Sequence, residues 1–182
     1  ALMLSLLPDF ADPLRLCALG KAYEGVIPLA DLPRLAPLLT STEGEAAFVL
    51  EFDRDAARRA TVRVEVKATL ALQCQRCLGT MTLPVNGESR LVVVDGPAEA
   101  ERLPEDVDPL LVEDEKLVLR SLIEDELILA IPPAPMHSSD ACAMKLQQIN
   151  AAGDELTAGD AVGKAHPFAS LAGWRSDDNE QD

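Results

Sequence analysis

The sequence predicts an α+β protein: a mainly antiparallel β meander or barrel-like core, one or two packed helices, and a flexible acidic C-terminal tail. Three observations predict it. From Thr61 to Gln73 the residues alternate, with Val62, Val64, Val66, Ala68, Leu70 and Leu72 facing one way and Arg63, Glu65, Lys67 and Thr69 the other. A period of two over that length is a strand with one buried face. From Leu119 to about Ile131 the spacing becomes helical, and from Asn150 onward it gives way to Ala, Gly and Asp. With 182 residues, 48% of them hydrophobic, the chain can build one real core. A single domain is expected over 1–149, followed by a largely flexible tail over 150–182 that carries an apolar Pro-Phe patch at 167–174.

Taken in order, the chain to about Pro28 reads as extended or irregular, punctuated by Pro8, Pro13, Gly20, Gly25 and Pro28. Leu32, Leu35, Leu38 and Leu39 suit a short helix that Pro33 and Pro37 limit. Ala46 to Phe52 reads as a strand, and Asp53 to Arg59 as a charged turn. The long strand after it ends in a Cys-Gln-Arg-Cys turn, Cys74 to Cys77, with Cys74 closing the buried row. Thr80 to Val85 alternates again, Asn86-Gly87 predicts a hairpin, and Arg90 to Val94 supplies the returning strand. The β core therefore covers about 46–94. A polar loop (Gly96 to Asp108), a short apolar run (Leu110 to Val112) and an acidic turn (Glu113 to Glu115) lead into the helix. Its apolar face holds Leu119, Leu122, Ile123, Leu127 and Ala130, with Glu126 in the middle; Pro132, Pro133 and Pro135 then stop it.

The formal charge is −15, which argues against unaided binding to nucleic acid or an anionic membrane and points to a basic partner or to solubility. No apolar run approaches the ~20 residues needed to cross a bilayer. Ala1 to Leu7 is apolar but lacks the flanking signals of a leader, so a cytoplasmic protein is expected. Resolved along the chain, the charge is uneven. Residues 54–90 carry seven bases against three acids, and the segments on either side are acidic. Arg58, Arg59, Arg63, Lys67 and Arg76 are therefore candidate RNA contacts, since cations at alternating spacing can track phosphates. The plainer reading is a solvated sheet face. No aromatic side chain interleaves with these cations, so any contact through them is electrostatic and salt-sensitive.

Cys74 and Cys77 have the spacing that lets a tight turn direct two sulfurs at one tetrahedral ion. Strands on both sides make the pair a knuckle rather than the helix N-terminus of a redox motif. His137 and Cys142, just past the prolines, complete a candidate Cys₃His site for structural zinc. The alternative is a buried turn that keeps cysteine for packing, which is also the simplest reading of Cys17. Glu126 on an apolar helix face needs a partner, and Arg76 is the first candidate for a buried ion pair. There is no Gly-rich phosphate loop and no nucleophile–base pattern, so no enzyme is expected.

Three segments together resemble the bacterial large ribosomal RNA subunit accumulation protein (YceD-like) family: Leu72 to Val85, Ile123 to His137 followed by Cys142, and His166 to Trp174. The family's closing motif has Asn where this chain has His166, and its basic tail is replaced here by an acidic end. By position, the characteristic residues are Cys74, Arg76, Cys77, Glu124, Asp125, Glu126, Pro132, His137, Cys142, Pro167 and Phe168. The resemblance implies a non-enzymatic factor for accumulation of 23S ribosomal RNA, acting in synthesis, processing or assembly of the large ribosomal subunit. Its partners are then that RNA or its precursor and a basic ribosomal protein, with no membrane involved. The alternative is an acidic, chaperone-like binder of such a protein that makes no RNA contact.

Overall fold

Local chemistry sets each element in the computed structural model, which describes residues 7–105, 107–112, 116–138 and 142. A two-residue strand, β1 (Phe10–Ala11), leads into helix α1 (Pro13–Leu19). Asp12 caps the helix by accepting from the Arg15 N–H at 3.1 Å, Pro13 sits in its first turn, and Gly20 closes it at φ +57. The irregular stretch expected here is therefore a capped helix followed by a strand. Its one helical run is too short for periodicity to reveal, although the punctuation is legible. After β2 (Ala22–Pro28), two 3₁₀ turns, Leu29–Asp31 and Ala36–Leu38, replace the expected helix. Proline at 33 denies an α-helix its continuous hydrogen bonding.

Three long strands follow: β3 (Glu45–Arg54), β4 (Ala60–Gln73) and β5 (Thr80–Val94). Helix α2 (Pro97–Ala100), β6 (Asp108–Leu111), β7 (Leu117–Val118) and α3 (Leu119–Leu129) complete the described elements. The α+β class and the mostly antiparallel sheet are as expected. The sheet is open rather than barrel-like, in the order β2-β3-β4-β5-β6, and its last pair is parallel, starting at Leu91↔Asp108. β1 and β7 form a separate antiparallel pair.

The expected hairpin at Asn86-Gly87 does not form. β5 runs straight through it, with Asn86 opposite Lys67 and Gly87 opposite Val66. Gly87 serves close approach instead of a turn: a Cβ there would lie 2.5 Å from Glu126 Oε1 and 2.9 Å from its Cγ. Pro84 is tolerated inside β5 because β6 pairs only with Leu91 to Val94, so no second ladder needs its N–H.

The core lies on the sheet face covered by α1 and α3. Leu50, Phe52, Val62, Val64, Val66, Leu70 and Leu72 are buried there with Leu119, Leu122, Ile123 and Leu127 of α3. Each such side chain contributes roughly 1.5–3 kcal/mol when fully buried. The opposite face carries Glu51, Arg63, Glu65, Lys67, Glu88 and Arg90. The chain divides into two compact units, Ala1–Ser138 and Ser139–Asp182. All the elements above belong to the first. Of the second only Cys142, a buried helical residue, is described. The tail expected over 150–182, with His166, Pro167 and Phe168, lies outside the described residues, as does the acidic turn at Glu113 to Glu115. Among the described residues no helix is long and apolar enough to cross a membrane.

Candidate metal centre and nucleic-acid contacts

Strand parity delivers Cys74, fully buried, at the end of the inward row of β4. The ladder closes at Gln73↔Thr80, and the intervening turn is fixed by two backbone bonds. Leu78 N donates to Cys74 O and Cys74 N donates to Gly79 O, both at 2.9 Å. Leu78 takes φ +56, a left-handed conformation that costs a residue with a Cβ about 1 kcal/mol. The prolines after α3 force an extended exit, and Gln75 N donates to Pro135 O at 2.8 Å, pinning that exit to the knuckle. His137 arrives with it.

The imidazole is oriented by a second contact. His137 Nε2 lies 3.2 Å from the Thr80 carbonyl oxygen, which can only accept, so Nε2 carries the proton. Nδ1 keeps its lone pair and faces Cys77 Sγ at 3.4 Å. The donor atoms of Cys74, Cys77, His137 and Cys142 all lie within 4.8 Å of one another. Zinc bonds of about 2.3 Å to sulfur and 2.0 Å to nitrogen imply tetrahedral edges of about 3.5–3.8 Å, so this donor set fits a closed Cys₃His site. Burial works against charge on Cys74, but the backbone N–H groups of Cys77, His137 and Arg76 outweigh it. Its thiol is pushed down to about 5, so it is the ligand form at neutral pH. Cys17 shows the contrast. Burial pushes its thiol up, its Sγ donates to Thr61 O at 3.3 Å, and it packs as a small apolar side chain.

The candidate RNA contacts sort into two groups. Arg63 meets Glu51 at 3.0 Å, Glu88 at 2.9 Å and also Glu65, and its pKa is raised chiefly by the hydrogen bonds to Glu51 and Glu88. Arg59 pairs with Asp55 at 2.7 Å. Arg58, Lys67 and Arg76 have no carboxylate partner among the described residues. Arg76 instead directs Nη2 at Met136 Sδ, 3.7 Å away.

The expected Glu126–Arg76 pair is therefore not formed. Glu126 packs against Gly87, opposite Val66, far along β4 from the knuckle that holds Arg76. The buried ion pair sits two residues earlier. Glu124, 3% exposed, accepts from Arg34 N at 2.5 Å, Arg34 Nε at 2.9 Å and Leu35 N at 3.0 Å. Asp125 takes the other side of the guanidinium at 2.6 Å. Arg34 escapes sequence reasoning because its partners are 90 residues away. The one available signal is a lone cation in the apolar stretch Leu32 to Leu39.

Fold and site together define a class: an α+β protein whose open sheet ends in a Cys/His knuckle with metal-ligand geometry. Residues 62–173 match the family model of the large ribosomal RNA subunit accumulation protein YceD. The Haemophilus influenzae protein of that name is 31% identical over 169 residues, which cover 91% of this chain and 94% of that protein. The chain belongs to this family. No solved structure matches it.

Proposed function

We propose that this chain is a non-enzymatic, cytoplasmic factor that promotes accumulation of 23S ribosomal RNA, in its synthesis, processing or assembly, by binding that RNA or its precursor. The observation that carries the reading is its likeness, over 91% of the chain, to a protein named for that role. The basic segment from Arg54 to Arg76 supports a direct RNA contact, with Arg58, Lys67 and Arg76 the cations best placed because no carboxylate engages them. Structural zinc held by Cys74, Cys77, His137 and Cys142 stabilises the turn that carries Arg76; the donor chemistry and spacing support it.

Binding to transcribed 23S fragments across a salt series tests this. Affinity is expected to fall linearly on a log–log plot against salt. Absence of binding even at low salt would sink it. A second reading has its own support, because three carboxylates enclose Arg63 on a chain of net charge −15. On that reading the protein holds a basic ribosomal protein and never touches RNA. Pull-down with and without nuclease separates the two, since an RNA-bridged partner is lost on digestion.

A further inference from the structure

Among the described residues carboxylates crowd most of this molecule, and the knuckle end of β4 is an exception. The chain has 31 acids, yet none occurs in 32–42, 66–87 or 127–138. These three stretches meet there. Thr40 N donates to Ala71 O at 2.8 Å beside the Ser41↔Ala71 bridge, and Gln75 N donates to Pro135 O at 2.8 Å. On this approach a phosphate meets Arg76 and, among the described residues, no carboxylate.

The side chains at the tip have a second property in common, which is exposed apolar surface beside one cation. Leu78 is 65% exposed and Met136 47% exposed, and the Arg76 guanidinium reaches the Met136 sulfur. Leu78 holds its outward position at φ +56, where glycine is the residue without steric cost. Gln73 and Gln75 stand exposed on the same turn, Gln73 Nε2 donating to Leu78 O at 3.3 Å and Gln75 Nε2 to Gln73 O at 3.4 Å. Their amide oxygens accept no bond among the described residues.

We infer that the knuckle tip binds an unpaired nucleotide of single-stranded RNA, with one base laid on Leu78 and Met136 and its phosphate on Arg76. This rests on the RNA-binding reading above and makes it specific. Unpaired bases expose a π face and hydrogen-bonding edges that duplex RNA hides, and small knuckles are among the modules that take them. The base-stacking platform that the strand arginines lack is thus supplied by aliphatic and thioether surface. Gln75 is the polar group within the turn that can address a base edge.

The test uses the full chain and fluorescent transcripts of 23S segments, one single-stranded and one an equal-length duplex. The single strand is expected to bind at least about tenfold more tightly. Arg76→Gln should lower its affinity several-fold and make the salt slope shallower by about 0.7. Leu78→Gly relieves the left-handed strain, so the turn is retained, yet about a fivefold or greater loss of affinity is expected with the salt slope unchanged. Arg120→Gln, on α3 and outside the basic segment, is the control and should change little.

If the wild-type chain binds neither transcript, the RNA reading falls and this inference with it. If it binds, and Lys67→Gln weakens binding while Arg76→Gln and Leu78→Gly do not, RNA binding stands and the tip assignment is overturned. The assignment is equally overturned if the tip variants bind RNA normally and lose only a co-purifying protein.

Discussion

The turns at the two ends of β4 handle charge in opposite ways. At one end, residues 53–59 interleave Arg54, Arg58 and Arg59 with Asp53 and Asp55, and these groups satisfy one another locally: Arg59 binds Asp55, and Arg54 donates to Arg58 O. At the other, Cys74 to Gly79 gathers two sulfurs beside an imidazole, with Arg76 the one cationic side chain. Each tip holds a non-glycine residue at positive φ, Arg58 at +64 and Leu78 at +56. The difference teaches that the number of cations is a poor guide to where a polyanion can bind. The arginine-rich end has more of them, but its acids cancel much of their field; the knuckle end has one, which no carboxylate engages among the described residues.

The largest expected effect lies at the knuckle. Cys77→Ser removes one ligand of a closed site, and a structural zinc contributes its binding free energy to folding. The melting temperature should fall by roughly 6–12 °C, on the basis of about 3 kcal/mol lost and the usual sensitivity of a chain this size. A chelator should reproduce the loss in wild type and add nothing to the variant. A zinc content of zero by elemental analysis, together with an unchanged melting curve in chelator, would remove the metal from the account of this end.

A smaller effect concerns what holds the neighbouring loop. Glu124 accepts two backbone N–H groups as well as the Arg34 side chain, and the loop it holds runs on to Thr40 and its bond to β4 at Ala71. Glu124→Ala strands those donors and is expected to cost about 3 kcal/mol by denaturant unfolding. Arg34→Ala should cost clearly less, because the backbone bonds survive and the guanidinium is half-exposed. Equal losses would mean that the ion pair, rather than the backbone bonds, anchors the loop.

Much of this was legible in the sequence, and the failures share a cause. The alternation from Thr61 marks β4 and places Cys74 at its buried end, and the spacing of Cys74, Cys77, His137 and Cys142 suggests one cluster before any coordinates. The Asn-Gly hairpin fails because a glycine required by a side chain from a distant helix looks the same as one required by a turn. The partner of the buried acid fails similarly: Glu126 packs against Gly87, and Arg34, not Arg76, completes an ion pair, with Glu124. Local chemistry is written in neighbouring residues. Contacts between segments 39 or 90 residues apart are not.

The smallest effect lies at the arginine-rich end and sharpens the contrast through pH. Burial works against the Asp55 carboxylate, but the Arg59 backbone N–H and guanidinium outweigh it and hold the carboxyl below its ordinary 3.8. A group whose pKa is lower in the folded state stabilises above its ordinary pKa, and that contribution is lost as the pH falls through the lowered one. Asp55→Asn should therefore lower the melting temperature at pH 7 by only about 2 °C or less, because a part-buried pair at the surface is still screened by water and salt. The gap between variant and wild type should close as the pH drops below 3.8 and narrow with added salt. A gap that persisted in strong acid would mean that Asp55 holds this turn through hydrogen-bond geometry alone. A large gap at pH 7 would mean that the arginine-rich end is as tightly built as the knuckle.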